Sequence, residues 1–315
     1  MRAVILDAKT LGDDICFDAI EAAAQVTRYP TTAPEEVEQR IHQAEVVIIN
    51  KVRLNETNLK NARNLRLICV AATGYDNIDT EYCQKRGIAV CNVKGYSTHS
   101  VAQLTISMVL SLMMHLPDFT FFVRSGAYSD SGVANRLTPV FHELYGKTWG
   151  ILGAGNIGGQ VARVAEAFGC RVLVCRRTKD PVYPTVDVDT LCRECDILSV
   201  HTPLTSETKV IINSRRIAMM KDGVILVNVA RGAVTDEQAV ADAVLSGKIG
   251  GFGCDVYSTE PFDKEHPFHE LLNRPNVCLT PHMAWGAAEA RQRCMDEIGE
   301  NIRAFMCGVH RNRVV

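Results

Sequence analysis

Short apolar runs of strand length alternate with helical stretches along the chain. Continuous runs of Val, Ile and Leu are typical of parallel strands that are covered on both faces. The first series of predicted strands comprises Val4–Leu6, Val46–Ile49, Leu67–Val70 and Ala89–Cys91. The second series comprises Trp149–Leu152, Val172–Cys175, Ile197–Val200, Val224–Val229, Gly253–Val256 and Val277–Leu279. The pattern predicts an α/β protein with two doubly wound parallel-sheet domains.

Two predicted helices mark the boundaries between these domains. A long helix that begins near Ser97 leads from the first series of strands to the second. An amphipathic helix from about Ala287 to Cys307 folds back on the first domain. We therefore predict a split domain of residues 1–96 plus 285–315, which encloses a continuous domain of residues 97–284.

Composition and charge narrow the class of protein. Hydrophobic residues make up 47% and charged residues 22% of the 315 residues, which is an ordinary globular balance. The net charge of −2 gives no reason to expect a nucleic acid or an anionic membrane as partner. The apolar stretch at the start is too short for a signal peptide, and polar residues interrupt the run from Val101 to Leu116. We expect a cytoplasmic protein.

The cysteines and one histidine pair are the candidates for metal binding. Twelve cysteines in a chain with no predicted export signal are expected to be reduced thiols. Cys192 and Cys195 have the spacing of a zinc or redox site, but no second pair is near them in sequence. His266 and His269 lie in a proline-containing segment without a third ligand. We therefore predict no metal site.

A glycine-rich segment follows the predicted strand Trp149–Leu152 and opens a helix. Gly153 allows a tight turn, Gly155 lets a pyrophosphate approach the backbone, and Gly158 lets helix and strand pack closely. The pyrophosphate would then lie on the amides of Asn156 and Ile157, where the helix dipole favours negative charge. The inner domain is therefore predicted to be a Rossmann domain that binds a dinucleotide.

The residues after the next strand bear on the choice of coenzyme. An Asp or Glu at this place accepts the ribose hydroxyls of NAD, but this chain has Arg176, Arg177 and Thr178. Guanidinium groups pair with a 2′-phosphate, whereas a carboxylate repels it. The sequence predicts that NADP(H) is preferred and that NAD(H) is possible, with a solvated basic loop as the alternative.

Three further segments each follow a predicted strand of the second series. They are residues 228–232, 255–261 and 280–285. Ligands of open α/β sheets bind outside the carboxyl ends of strands, so these segments are predicted to converge. Reduction of a 2-keto acid needs a cation for the carboxylate and a proton donor for the carbonyl oxygen. Arg231 and His282 have those properties, and Glu260 can hold the imidazole and favour its charged form.

Over nearly its full length the sequence resembles the D-2-hydroxyacid dehydrogenase family. The resemblance is carried by residues 71–79, the glycine segment, residues 201–204 and the three segments above. It implies a flavodoxin-like substrate domain, a homodimer, and a catalytic set of Arg231, Glu260 and His282. It also implies that Asp255 contacts the nicotinamide carboxamide. The remaining predicted cofactor contacts are Thr202, Pro203, Val229 and Ala230.

The resemblance also implies a binding site for a small 2-keto acid. Backbone amides near Ala72, Thr73 and Gly74 would hold its carboxylate, and Lys51, Tyr75 and Trp285 would contact its side chain. Residues 50–52, 142–144 and 146–148, with Trp285, are similar to the hydroxypyruvate reductases, also called glycerate dehydrogenases. Hydroxypyruvate and glyoxylate are therefore the expected substrates. A D-lactate or aromatic D-2-hydroxyacid dehydrogenase and a dinucleotide-sensing, corepressor-like binding protein remain the alternatives.

Overall fold

The computed structural model describes residues 1–315, which form two compact units. Unit 1 comprises Met1–Ser97 and Gly286–Val315, and unit 2 comprises Thr98–Trp285. The sequence prediction placed both junctions one residue earlier. The strands are β1 (Arg2–Ile5), β2 (Gln25–Arg28), β3 (Val46–Ile49), β4 (Leu67–Val70), β5 (Ala89–Cys91), β6 (Thr148–Leu152), β7 (Arg171–Cys175), β8 (Ile197–Val200), β9 (Val224–Asn228), β10 (Ile249–Cys254) and β11 (Val277–Leu279).

Twelve α-helices and four 3₁₀ helices connect these strands. The α-helices are α1 (Asp18–Glu21), α2 (Val37–Ile41), α3 (Glu56–Leu59), α4 (Thr80–Arg86), α5 (Thr98–Met113), α6 (Leu116–Arg124), α7 (Ala127–Ser131), α8 (Asn156–Ala167), α9 (Val188–Glu194), α10 (Ser214–Met219), α11 (Glu237–Leu245) and α12 (Ala288–Met306). The 3₁₀ helices are Ala8–Leu11, Pro34–Glu36, Gly232–Val234 and Pro267–Leu271. No single helix is long and apolar enough to cross a membrane, although α5 and α6, bent by 64°, together have that length and composition.

Unit 1 contains a five-stranded parallel sheet with the order β2-β1-β3-β4-β5, the flavodoxin-like order. Strands β3, β4 and β5 are buried at every position, as their apolar sequences predict. Helix α12 brings the last part of the chain back to this unit. It packs so closely on α1 that a Cβ at Gly299 would lie 2.5 Å from the carbonyl oxygen of Ala19.

Unit 2 contains a six-stranded parallel sheet with the order β11-β10-β9-β8-β6-β7. Residues 184–186 add a rudimentary edge strand, because the amide of Val174 bonds to Pro184 and that of Val186 bonds back to Val174. With this segment as the third strand, the sheet has the strand order of the Rossmann fold. The two sheets confirm the predicted α/β class with two parallel-sheet domains.

Strand β1 lies one to two residues earlier than predicted, and β6, β7 and β9 differ from the prediction by one residue at one end. Two strands depart further from the sequence prediction. Strand β2 was not predicted, because it is an edge strand with mostly exposed side chains and no apolar run. Strand β10 begins at Ile249, four residues before the predicted Gly253, because three glycines interrupt its apolar pattern. One of them is required by packing, since a Cβ at Gly250 would lie 2.7 Å from the carbonyl oxygen of Gly223.

Candidate active site

The three predicted catalytic side chains all belong to unit 2, each shortly after a strand. Arg231 follows β9, Glu260 follows β10 and His282 follows β11. These strands are parallel neighbours in the sheet, so their carboxyl ends meet at one edge. The order of the strands thus explains how residues up to 51 positions apart in sequence reach the same region.

His282 and Glu260 are directly hydrogen bonded. Nδ1 of His282 lies 2.6 Å from Oε2 of Glu260, and the two side chains are 24% and 32% exposed. The other carboxylate oxygen, Oε1, accepts the amide N–H of Tyr257 at 3.0 Å. The indole N–H of Trp285 donates to the carbonyl oxygen of His282 at 2.9 Å. With Nδ1 bonded to a carboxylate, Nε2 is the ring nitrogen that can transfer a proton to a substrate.

Arg231 lies in a turn that a buried asparagine holds. The Asn228 side chain donates to the carbonyl oxygen of Arg231 at 3.0 Å and accepts the amide N–H of Ala230 at 3.0 Å. Gly232 follows, and a Cβ there would lie 2.1 Å from the carbonyl carbon of Tyr257. Only glycine permits this approach, so the turn that carries Arg231 packs directly against the segment that leads to Glu260.

Asp255 braces the turn that carries His282. Its carboxylate accepts hydrogen bonds from the Thr280 hydroxyl at 2.5 Å and from the amides of Met283 and Ala284 at 2.8 and 2.9 Å. Burial raises the pKa of Asp255, and these hydrogen bonds oppose that effect. The structure therefore gives Asp255 a second role, in addition to the predicted contact with a nicotinamide carboxamide. Sequence reasoning did not identify this bracing.

The glycine segment has a shape that suits a dinucleotide. Gly153 has φ of +96°, and a Cβ there would lie 2.6 Å from the amide nitrogen of Thr202. A Cβ at Gly158 would lie 2.3 Å from the carbonyl oxygen of Gly153, so the first turn of α8 packs on the loop. Space next to Gly155 is open, and α8 begins at Asn156. These features fit a pyrophosphate on the amides of Asn156 and Ile157.

The other predicted contacts of this site lie in the loops around it. Val229 is buried and Ala230 is half-buried directly after β9, whereas Pro203 is exposed. Thr202 follows His201, whose Nε2 lies 3.0 Å from the Ser199 hydroxyl. Nδ1 of His201 is buried without a hydrogen-bond partner, and burial lowers the pKa of His201 to about 3. The imidazole of His201 is therefore neutral, and the backbone of this residue lies beside Gly153.

The loop after β7 contains two arginines with different environments. Nη1 of Arg176 donates to Oδ2 of Asp180 at 2.9 Å. Oδ1 of Asp180 accepts the amides of Val182 and Tyr183 at 3.0 and 3.1 Å, and these bonds lower the pKa of Asp180. Arg177 is exposed and makes no hydrogen bond or ion pair. The neighbouring Thr178 is also exposed.

The predicted substrate contacts other than Arg231 and Trp285 lie in unit 1. The amide of Lys51 donates to Oδ2 of the buried Asp7 at 2.6 Å, and the same carboxylate accepts the amides on either side of it. The Thr73 hydroxyl donates to the carbonyl oxygen of Val93 at 2.9 Å. Ala72 and Gly74 are half-buried, whereas Tyr75 is 40% exposed. Asp7 was missed because a single aspartate after a strand has no distinctive pattern.

The residues considered as metal ligands are buried thiols and a paired histidine. Cys192 and Cys195 are buried at the end of α9, where burial raises the pKa of these thiols to about 11 and about 12. His266 is paired with Glu237. No group of three His, Cys, Asp or Glu side chains is arranged to hold a metal ion.

The fold and the site define a nicotinamide dinucleotide-dependent oxidoreductase. Residues 106–284 match the model of the D-isomer specific 2-hydroxyacid dehydrogenase NAD binding domain, and the chain belongs to that family. It is 35% identical to a hydroxypyruvate reductase of Blautia hydrogenotrophica, over 98% of each chain. It is 33% identical to a glycerate dehydrogenase of Methylorubrum extorquens, over 99% of this chain and 98% of the relative.

A solved structure of the family agrees with this assignment. The D-lactate dehydrogenase of Aquifex aeolicus, crystallised with NAD and lactic acid, superposes with a TM-score of 0.85. It is 30% identical, and the match covers 98% of this chain and 96% of that one. The reaction class is therefore hydride transfer between a nicotinamide dinucleotide and the 2-carbon of a small 2-keto or D-2-hydroxy acid.

Proposed function

We propose that the enzyme reduces hydroxypyruvate or glyoxylate to the corresponding 2-hydroxy acid. The observation that carries the proposal is the 2.6 Å bond between Glu260 and His282, with Arg231 after the neighbouring strand β9 at the same edge of the sheet. The choice of substrate is supported by the relatives named hydroxypyruvate reductase and glycerate dehydrogenase.

Each catalytic side chain has one task in this proposal. The reduced nicotinamide, when bound, supplies the hydride that the carbonyl carbon receives. Arg231 binds the substrate carboxylate through its planar guanidinium group, which matches a carboxylate in two parallel hydrogen bonds. His282 donates the Nε2 proton to the carbonyl oxygen. Glu260 holds Nδ1 and so fixes the ring with Nε2 as the nitrogen that gives up the proton.

Specificity for the rest of the substrate is assigned to the predicted loop residues. From the family resemblance we infer that amides of residues 72–74 bind the substrate carboxylate, and that Lys51, Tyr75 and Trp285 are specificity residues. Hydrogen bonds hold two of these residues in place. Asp7 fixes the backbone of Lys51, and the indole N–H of Trp285 is fixed by its bond to the carbonyl of His282.

For the coenzyme, we propose a preference for NADP(H) with some use of NAD(H). The 2′-phosphate would be bound chiefly by Arg177 and Thr178, because the guanidinium of Arg176 already pairs with Asp180. No carboxylate follows β7 directly to accept the ribose hydroxyls of NAD. The glycine segment serves either coenzyme, since both contain the same pyrophosphate.

We further infer a homodimer that forms through unit 2. Residues 116–145 expose large apolar side chains, which a partner subunit would cover. The most exposed are Phe121, Leu137, Val140 and Tyr145, at 72%, 68%, 68% and 78%. A light-scattering mass of twice the chain mass of 34.7 kDa is expected in solution.

A panel of 2-keto acids, each measured with NADH and NADPH, tests the proposed function. Hydroxypyruvate or glyoxylate with NADPH is expected to give the highest kcat/KM. A higher kcat/KM for pyruvate would instead indicate a D-lactate dehydrogenase, and one for phenylpyruvate would indicate an aromatic 2-hydroxyacid dehydrogenase. Dinucleotide binding with no turnover of any 2-keto acid would contradict the enzymatic assignment and favour a sensing protein.

A further inference from the structure

A second pair of ionisable side chains, Glu237 and His266, lies beside the segment that carries Glu260. Glu237 begins α11, and the two side chains are only 10% and 6% exposed. Nδ1 of His266 accepts the amide N–H of Phe268 at 3.2 Å, so the ring proton lies on Nε2. Nε2 then donates to Oε2 of Glu237 at 3.0 Å. A neutral histidine therefore fixes the carboxylate of Glu237.

The carboxylate of Glu237 reaches across to Ser258. Oε1 accepts the amide N–H of Ser258 at 2.8 Å, and Oε2 accepts its hydroxyl. Together with His266, these bonds give the buried carboxylate three donors, which offsets much of the cost of burying it. The contacts join the start of α11 to the loop of residues 257–261, 21 positions later in the sequence.

Ser258 lies within the turn that orients Glu260. The neighbouring residue, Tyr257, donates its amide N–H to Oε1 of Glu260 at 3.0 Å. The Tyr257 hydroxyl donates to the carbonyl oxygen of Thr280 at 2.9 Å, two residues before His282. A displacement of Ser258 would therefore act on both members of the Glu260–His282 pair.

We propose that Glu237, held by His266, is a positioning residue for proton transfer, because it fixes Ser258 and through it the orientation of Glu260 towards His282. The inference rests on the roles proposed above for Glu260 and His282. Glu237 touches neither of them directly. It acts through the loop backbone, and its effect is therefore expected on the proton-transfer step rather than on coenzyme binding.

Glu237→Gln tests this role with little change of volume. The amide keeps one oxygen as acceptor but presents N–H donors where the other oxygen accepts the donors of Ser258 and His266. We expect the single-turnover rate of coenzyme oxidation and kcat to fall roughly tenfold, because small misplacements of catalytic groups are costly. The alkaline fall of the rate should move to lower pH, as in Glu260→Gln, while the Kd for NADPH stays within about twofold.

Two further variants complete the design. Ser258→Ala removes one hydrogen bond from the loop side without altering α11, and it should show the same changes at smaller size. If Glu237→Gln folds poorly, Ser258→Ala still tests the positioning role of Glu237. Gln238→Ala is the matched control, because Gln238 is exposed on the same helix and bonds only to Asp242. Its rate and pH profile should equal those of the wild type.

The outcomes separate this inference from the proposed function. If Glu260→Gln shifts the pH profile and neither Glu237→Gln nor Ser258→Ala does, the positioning role of Glu237 is wrong and the role of Glu260 stands. If Glu237→Gln loses rate, coenzyme affinity and thermal stability together with an unchanged pH profile, Glu237 is merely structural. If Glu260→Gln itself leaves the profile unchanged, both the role of Glu260 and the inference that rests on it are overturned.

Discussion

The two arginines after β7 should contribute unequally to coenzyme choice. Arg177 is exposed and unpaired, whereas Arg176 donates to Asp180 at 2.9 Å. We predict that Arg177→Ala lowers the ratio of kcat/KM for NADPH to that for NADH more than Arg176→Ala does. The reason is that a free guanidinium can form new bonds to a phosphate, while a paired one has fewer donors available and a carboxylate beside it.

The expected size of this change in coenzyme preference follows from the solvent exposure of the two arginines. A hydrogen bond to a charged group contributes about 1.5–3 kcal/mol, and solvent screening at an exposed position reduces this by roughly half. Arg177→Ala should therefore lower the preference for NADPH about three- to tenfold. Arg176→Ala should lower it by less than about threefold, since its charge is already partly compensated by Asp180.

Asp180→Asn provides the matched comparison. The backbone amides of Val182 and Tyr183 bond to Oδ1, whereas Arg176 bonds to Oδ2, so asparagine can keep the loop while losing the arginine contact. Freed from the carboxylate, Arg176 should raise the NADPH preference about two- to threefold. The assay is kcat/KM for both coenzymes at low and moderate salt, and the effects should shrink as salt rises. A larger loss in Arg176→Ala than in Arg177→Ala, or a wild-type enzyme that prefers NADH, would refute the reasoning.

Four further outcomes are expected. Glu260→Gln should move the alkaline fall of keto-acid reduction to lower pH, because His282 loses a charge-assisted bond, and superimposable profiles would show that the 2.6 Å contact has no catalytic role. Arg231→Lys should lower kcat/KM roughly 10²-fold with unchanged coenzyme Kd, whereas equal loss of both would indicate a structural role. Gly232→Ala should destabilise the fold by about 1–3 kcal/mol and lower kcat, because its Cβ would lie 2.1 Å from the backbone of Tyr257. An unchanged Tm would show that the loop moves to accept the methyl group without cost. The pKa of His201 is about 3 in the folded protein, whereas its ordinary value is 6.5. Between these two pH values the unfolded chain binds a proton at His201 and the folded protein does not. The free energy of unfolding therefore falls as the pH falls through that window. His201→Gln should reduce the loss of Tm between pH 7 and pH 5, and an equal loss in both proteins would contradict the sign.

The strands that the sequence predicted are those with continuous apolar runs. Strands β3, β4, β5, β8 and β11 were placed at their observed bounds, because each is a short, almost wholly apolar run. The first four are also buried at every position, whereas β11 is half-buried. The edge strand β2 lacked that signal, as did the segment 184–186 that completes the Rossmann order. These two edge segments are defined by their pairing partners rather than by their own composition, unlike the apolar edge strands β5 and β11.

The parts of the candidate site that could be predicted are those whose chemistry requires a particular residue type. Arginine, glutamate and histidine after successive strands have such a pattern, and so does a glycine segment before a helix. The residues that brace them do not. Asp7, Asn228 and Glu237 act through contacts 2 to 45 positions away in sequence, and such contacts exist only once the chain is folded. For the same reason the sequence could not show that Arg176 is already paired.

The return of α12 to unit 1 has a consequence for how the chain folds during synthesis. All five strands of unit 1 leave the ribosome before any of unit 2, but the helix that packs on α1 follows after Trp285. At roughly 5–20 residues per second, unit 1 waits about 10–40 s for that helix. The apolar surface that α12 covers is exposed to chaperones and to aggregation throughout this interval. The whole sequence of unit 2 is synthesised before the last segment of unit 1. The nascent chain can therefore fold its dinucleotide-binding unit while unit 1 still lacks α12.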